Sequence, residues 1–213
     1  MKCDPKTMLL YAVTDRAWTG EQTLYQQVEQ ALKGGVTCVQ LREKELDGAA
    51  FLAEAKDICG LCRAYGVPFI VNDSVEIALA CGADGVHVGQ SDMDAGQVRA
   101  LAGRRLMIGV SARTVEEALR AQEAGADYLG VGAMFSTSTK LDTKAVSRQT
   151  LKEICAAVDI PVVAIGGISR DNMLELSGTG IDGVALVSAI FAAEVIESRC
   201  QELKTLARRI TIS

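Results

Sequence analysis

Aromatic side chains are scarce in this sequence, at 4% of 213 residues, and there is one histidine, His87. A core poor in rings must be filled by small aliphatic side chains. With 20 glycines and 49% hydrophobic residues, that balance suits parallel strands covered on both faces by closely packed helices. No apolar run is long enough to span a bilayer, because charges or glycines interrupt every stretch. The N-terminus lacks a basic patch followed by an apolar core, so no secretory signal is expected and a cytoplasmic setting is. There is no basic run and no alternation of basic and aromatic residues, and the net charge is −5. Nucleic acid and anionic membranes are therefore poor partners. An anion site in so acidic a chain must be a local cluster of cations.

The seven cysteines are an odd set, scattered through helical and strand patterns, as expected for reduced, mostly buried thiols. Cys59 and Cys62 form a C-x-x-C pair, but they lie inside a helical pattern with no second Cys or His pair at zinc spacing. Packing is the expected role.

Short apolar runs alternate with amphipathic segments along the chain. Strands are expected at Leu9–Thr14, Val36–Arg42, Pro68–Asn72, Gly85–Val88, Leu106–Val110, Tyr128–Gly132, Val162–Ile165 and Gly183–Val187. Helical patterns lie between them near 22–33, 48–65, 75–81, 94–102, 115–124, 147–157, 170–177 and 189–209. Eight strand–helix repeats imply a parallel sheet. A glycine-led layout recurs at Gly35, Gly82, Gly125 and Gly180, where a helix ends, a short turn follows and a strand begins. The spacings are about two strand–helix units each, so these are expected to open the even strands of a closed ring. An open doubly wound sheet would carry a glycine-rich turn after its first strand. Here Val13-Thr14-Asp15-Arg16 follows instead. The expected fold is a single (β/α)8 TIM barrel, one domain over 1–213.

Chemistry in such barrels collects at the C-terminal ends of the strands. The second ends Gln40-Leu41-Arg42-Glu43-Lys44, and alternation places Gln40, Arg42 and Lys44 on one face. Two cations and an amide aimed at one mouth call for an anionic ligand; the competing reading is a rim salt-bridged through Glu43 and Glu45. Asn72 and Asp73 end the third strand, and Asp92 follows the fourth. Two carboxylates at neighbouring strand ends suit Mg²⁺, which takes one or two of them and fills its other positions with water and phosphate oxygen. Either could instead cap the helix that follows it. His87 reads equally as a general base or as a satisfied structural histidine. Ser111 ends the fifth strand with a hydroxyl. The loop after the sixth carries Thr137-Ser138-Thr139-Lys140, which reads either as a plain solvated connection or as a run of hydroxyls ending in lysine, well made to wrap phosphate oxygens and able to close as a lid. Gly166-Gly167 after the seventh strand and Val187-Ser188 after the eighth leave backbone N–H groups open to a phosphate, at the usual phosphate position of this fold. Two anion sites emerge, one with cations and carboxylates, the other mostly backbone.

In order and at these strand ends, Gln40-Leu41-Arg42-Glu43-Lys44, Asn72-Asp73, His87 to Asp92, Ser111, Thr137 to Lys140, Gly166-Gly167-Ile168 and Val187-Ser188 resemble the thiamine-phosphate synthase family over nearly the whole chain. The resemblance implies a transferase that joins a pyrimidine pyrophosphate to hydroxyethylthiazole phosphate and releases pyrophosphate. It implies that Gln40, Leu41, Arg42, Glu43, Lys44, Asn72, Ser111 and Lys140 hold the pyrimidine pyrophosphate, and that Asp73 and Asp92 ligate Mg²⁺. It implies that Thr137, Ser138, Thr139, Gly167, Val187 and Ser188 hold the thiazole phosphate, with Arg42, Lys44, Lys140 and Ser111 as the catalytic groups. One departure is Ser136, where the family usually has proline. A sister thiazole tautomerase and a non-catalytic phosphate-binding barrel share the fold. The cationic triplet, the Asp pair and Lys140 count against the first; the second needs the same phosphate pocket but no metal, and fold alone does not separate the three. A homodimer is the base-rate expectation.

Overall fold

The computed structural model describes residues 3–136 and 145–211. Eight parallel strands close into a barrel in sequence order: β1 Leu10–Val13, β2 Cys38–Leu41, β3 Phe69–Asn72, β4 Gly85–Val88, β5 Met107–Ala112, β6 Tyr128–Val131, β7 Val162–Ile165 and β8 Gly183–Leu186, with β8 paired back onto β1. The outer ring is α1 Leu24–Lys33, α2 Gly48–Ala64, α3 Val75–Cys81, α4 Ala95–Ala102, α5 Val115–Glu123, α6 Arg148–Ala157, the single-turn α7 Ser188–Phe191 and α8 Ile196–Thr211. This is the (β/α)8 barrel expected from the alternation.

The recurring glycine layout has a physical basis. Gly35, Gly82, Gly125 and Gly180 all adopt positive φ, at 88°, 72°, 94° and 88°, a turn that a side chain would strain. Two residues on, Thr37, Asp84, Asp127 and Asp182 each accept the N–H of the preceding odd strand's first residues, at Leu10, Phe69, Ile108 and Val162 over 2.8–2.9 Å. The repeat therefore joins each even strand to its odd neighbour at the closed end of the barrel. That leaves the opposite end free for ligands.

Strand alternation divides the core in two. Tyr11, Val13, Cys38, Ile70, Met107, Tyr128, Val163 and Ala185 fill the barrel interior. Leu10, Ala12, Val39, Leu41, Phe69 and Val71 face the helices. Cys59 and Cys62 lie buried in the helical layer with free thiols, and burial pushes the Cys62 thiol up to about 12. That fits packing and argues against a reactive pair.

Two expected helices differ. The pattern over 170–177 yields only a 3-10 turn, Met173–Leu176. Asn172 accepts the Ser169 N–H at 2.8 Å and donates to the Gly167 carbonyl at 2.9 Å, a local alternative to helical pairing. The pattern over 189–209 is broken into α7 and α8. The chain leaves α7 at Ala192, and Ala193 donates to Ile190 in a tightened turn.

Candidate active site

The carboxyl ends of the strands surround an open cavity of about 150 Å³. Of the residues singled out from sequence, Gln40, Arg42, Asn72, Ser111, Gly167, Val187 and Ser188 line it. Gln40 lies on the inner face of β2, opposite Val13 of β1, and Arg42 follows on the same face. The Arg42 N–H donates to Thr14 Oγ1 at 3.0 Å, and its guanidinium lies 3.4 Å from Asp15. That contact is long, so the cation is oriented toward the mouth without being consumed.

Two members of the second-strand run do something else. Leu41 is fully buried and belongs to the outer layer, so its side chain points away from the mouth. Glu43 is also turned inward to the protein. Its Oε2 receives Arg16 at 2.6 Å, and its Oε1 accepts the N–H groups of Lys44, Glu45 and Leu46 at 2.7, 2.6 and 3.2 Å. Arg16 also reaches Glu54 of α2 at 2.7 Å. A rim paired through Glu43 is thus replaced by an Arg16–Glu43–Glu54 clamp that shapes the loop carrying Lys44. Burial pushes the Glu43 carboxyl up, but the Glu45 N–H, Arg16 and the Leu46 and Lys44 N–H groups outweigh it and bring it down to about 2. A depressed carboxyl adds stability above its unfolded pKa and loses it as pH falls through its folded one. Glu43→Gln is therefore expected to lower the melting temperature at neutral pH. The gap to the wild type should close between about 4.5 and 2; melting curves across that range check it.

Neither candidate metal carboxylate caps a helix. Ser74 caps α3 and Asp94 caps α4. Asp73 takes a left-handed φ of 65°, its N–H donates to the His87 carbonyl at 2.8 Å, and its Oδ2 meets Lys44 Nζ at 2.5 Å. Asp92 Oδ2 accepts the Gly89 N–H at 2.7 Å. Asp73 thus sits against β4, and Asp92 folds back onto the loop leaving that same strand. Among the described residues no group of three or more His, Cys, Asp and Glu side chains gathers to hold a metal. Each supplies hard oxygen donors at a neighbouring strand end, but neither lines the cavity itself.

Across the mouth, Gly166 and Gly167 have φ of 95° and 67°. A Cβ on Gly167 would stand 2.5 Å from the Ser136 carbonyl oxygen and 2.6 Å from that of Phe135, so the loop after β6 lies directly on it. Val187 and Ser188 complete this side of the cavity. Thr137, Ser138, Thr139 and Lys140 lie outside the described residues.

The sequence profile of the thiamine monophosphate synthase family matches residues 10–190. The chain belongs to the thiamine-phosphate synthase family. It is 52% identical to the thiamine-phosphate synthase of Ruminiclostridium cellulolyticum over 91% of this chain and 92% of that one. It is 50% identical to the enzyme of that name from Clostridioides difficile, over 92% and 94%. Among solved structures it superposes on the thiamine phosphate pyrophosphorylase of Pyrococcus furiosus with a TM-score of 0.90 and 37% identity, covering 97% and 98% of the two chains. Members of this family are transferases.

The sequence alone left several lining groups of this thiamine-phosphate synthase family member unread: Tyr11, Tyr128 and Arg113. It also left His87 undecided between two roles. The ring spans the floor of the mouth, 3.1 Å from Tyr128 Oη and 3.0 Å from Ser111 Oγ. Two inward glycines make room for it. A Cβ on Gly109 would stand 2.1 Å from Tyr128 Cζ and 2.5 Å from His87 Nδ1, and one on Gly130 would meet His87 Cε1 at 3.0 Å. Glycine at two neighbouring inward strand positions is the signal that larger groups fill the space between them.

Proposed function

We propose that the chain condenses the hydroxymethyl-aminopyrimidine pyrophosphate with hydroxyethylthiazole phosphate, giving thiamine phosphate and pyrophosphate. The observation that carries this reading is the lining of the mouth: Arg42, Asn72 and Ser111 on one side and Gly167, Val187 and Ser188 on the other, with the Lys44–Asp73 ion pair on the loops that follow β2 and β3. In this reaction the methylene C–O bond to pyrophosphate breaks and a C–N bond to the thiazole nitrogen forms. The ring nitrogen attacks through its own lone pair, so no base is needed. An aminopyrimidine supports positive charge on its methylene, which favours early departure of pyrophosphate. The protein's task is then electrostatic. Arg42, Lys44 and Lys140 stabilise the departing anion, and Ser111 and Asn72 orient the pyrimidine half. Gly167, Val187 and Ser188, with Thr137 to Thr139, seat the monophosphate so that its thiazole faces the methylene.

Asp73 and Asp92 would hold Mg²⁺, which supplies charge neutralisation on the pyrophosphate oxygens. Lys44, paired with Asp73, would move onto the incoming anion as the carboxylate turns to the cation. The free, mostly buried cysteines support a reducing cytosolic setting, and the acidic net charge supports small phosphorylated substrates over nucleic acid.

Chelation tests the metal. With EDTA, turnover is expected to fall to background and to return on adding Mg²⁺, and Asp73→Asn or Asp92→Asn should raise the Mg²⁺ concentration that restores it. Calorimetry with each substrate alone should show Mg²⁺-dependent binding of the pyrimidine pyrophosphate and Mg²⁺-independent binding of the thiazole phosphate. Full activity in EDTA would remove Mg²⁺ from the account.

A further inference from the structure

A continuous hydrogen-bond chain crosses the floor of the mouth. Gln40 Nε2 donates to Tyr11 Oη at 2.8 Å, and the Tyr11 and Tyr128 hydroxyls meet at 2.8 Å. Tyr128 Oη lies 3.1 Å from His87 Nδ1, and His87 Nε2 lies 3.0 Å from Ser111 Oγ. Gln40, Tyr11 and Tyr128 are all buried, where a hydroxyl hydrogen without an acceptor is costly.

That constraint gives the chain a direction. Each phenol has one hydrogen to donate. Burial first, with the neighbouring groups, holds both phenols well above their ordinary range, so both keep that hydrogen. Tyr11 already accepts from the Gln40 amide. If Tyr128 also donated to Tyr11, the Tyr11 hydrogen would be left with the Cys38 thiol, a weak acceptor. If instead Tyr11 donates to Tyr128, every group is satisfied. Tyr128 then donates to His87 Nδ1, and the imidazole hydrogen sits on Nε2 and points at Ser111 Oγ. The Ser111 hydroxyl, receiving that bond, has its own hydrogen left for the cavity. Its backbone is held as well, since Gln90 donates to the Ser111 carbonyl at 2.6 Å.

We infer that Gln40, Tyr11, Tyr128 and His87 act as a one-way positioning relay that fixes His87 in its Nε2–H form and thereby aims the Ser111 hydroxyl hydrogen at an acceptor on the bound substrate. Gln40 gives one of its two amide hydrogens to Tyr11, and through that bond it acts on the substrate by way of four other side chains. His87 is a positioning residue and neither a base nor a spectator. The direction of the relay follows from the Gln40 amide donating to Tyr11; the identity of the acceptor, on the pyrimidine pyrophosphate, rests on the function proposed above.

The chain's single histidine makes the test direct. Untagged protein labelled with ¹⁵N-histidine gives one pair of ring nitrogens by NMR, read at a pH about two units above the ordinary imidazole pKa. The wild type is expected to show a pyridine-type Nδ1 and a protonated Nε2. A protonated Nδ1 would reverse the relay and overturn the inference, whatever the enzyme makes. Tyr11→Phe should shift the tautomer populations toward a mixture and lower kcat about tenfold, the size of one hydrogen bond lost from the transition state. In a Ser111→Ala background the same change should cost nothing further. Equal losses in both backgrounds would show that Tyr11 serves packing alone.

Discussion

Arg42→Ala is expected to lower kcat by about a hundredfold to a thousandfold, the range for removing one well-placed donor from a developing anion. Arg42 stands out among the candidate cations because it lines the cavity and, among the described residues, its carboxylate contact with Asp15 is long at 3.4 Å. Lys44 is more exposed and already paired with Asp73, so its truncation should be milder. The loss should fall on kcat more than on KM, since the charge matters most as pyrophosphate departs. Arg42→Lys should recover only part of it, because an ammonium lacks the planar fork that grips two oxygens at once. Steady-state kinetics on the three proteins, with melting curves to confirm folding, decide the matter. Near-normal turnover in Arg42→Ala would mean that the leaving group lies elsewhere.

Gly167→Ala is expected to damage the other half of the mouth. Its left-handed φ of 67° costs a side-chain residue about 1–3 kcal/mol. The added carbon would also stand 2.5–2.6 Å from two backbone carbonyl oxygens, of Ser136 and Phe135. Those are not the ends of flexible side chains; the base of the loop after β6 must shift. The KM for thiazole phosphate should rise at least about tenfold, equivalent to roughly 1.4 kcal/mol of binding. The KM for the pyrimidine pyrophosphate should change little. Equal rises in both would mean that the mouth is not divided as described.

These two variants probe what was readable from sequence, since strand alternation and the glycine pair carried Arg42 and Gly167 directly. The even-strand repeat was legible for a similar reason: each Gly-x-Asp or Gly-x-Thr step is local, and its hydrogen bond closes the same turn each time. What escaped was long-range or competitive. Glu43 sits between two cations in sequence, yet its carboxylate is taken by Arg16, 27 residues away. Leu41 falls on the opposite side of the pleat from Gln40 and Arg42, so its side chain could not share their face. Tyr11 and Tyr128 meet across 117 residues, and only a closed barrel brings them together. The helix expected over 170–177 carries a helical pattern, but Asn172 offers the backbone a nearer partner.

The most direct measurement follows both products in one reaction of the purified protein with the two substrates and Mg²⁺. Thiamine phosphate and pyrophosphate should appear together, one for one. No product, or pyrophosphate released without thiamine phosphate, would contradict the account of this barrel as a coupling enzyme.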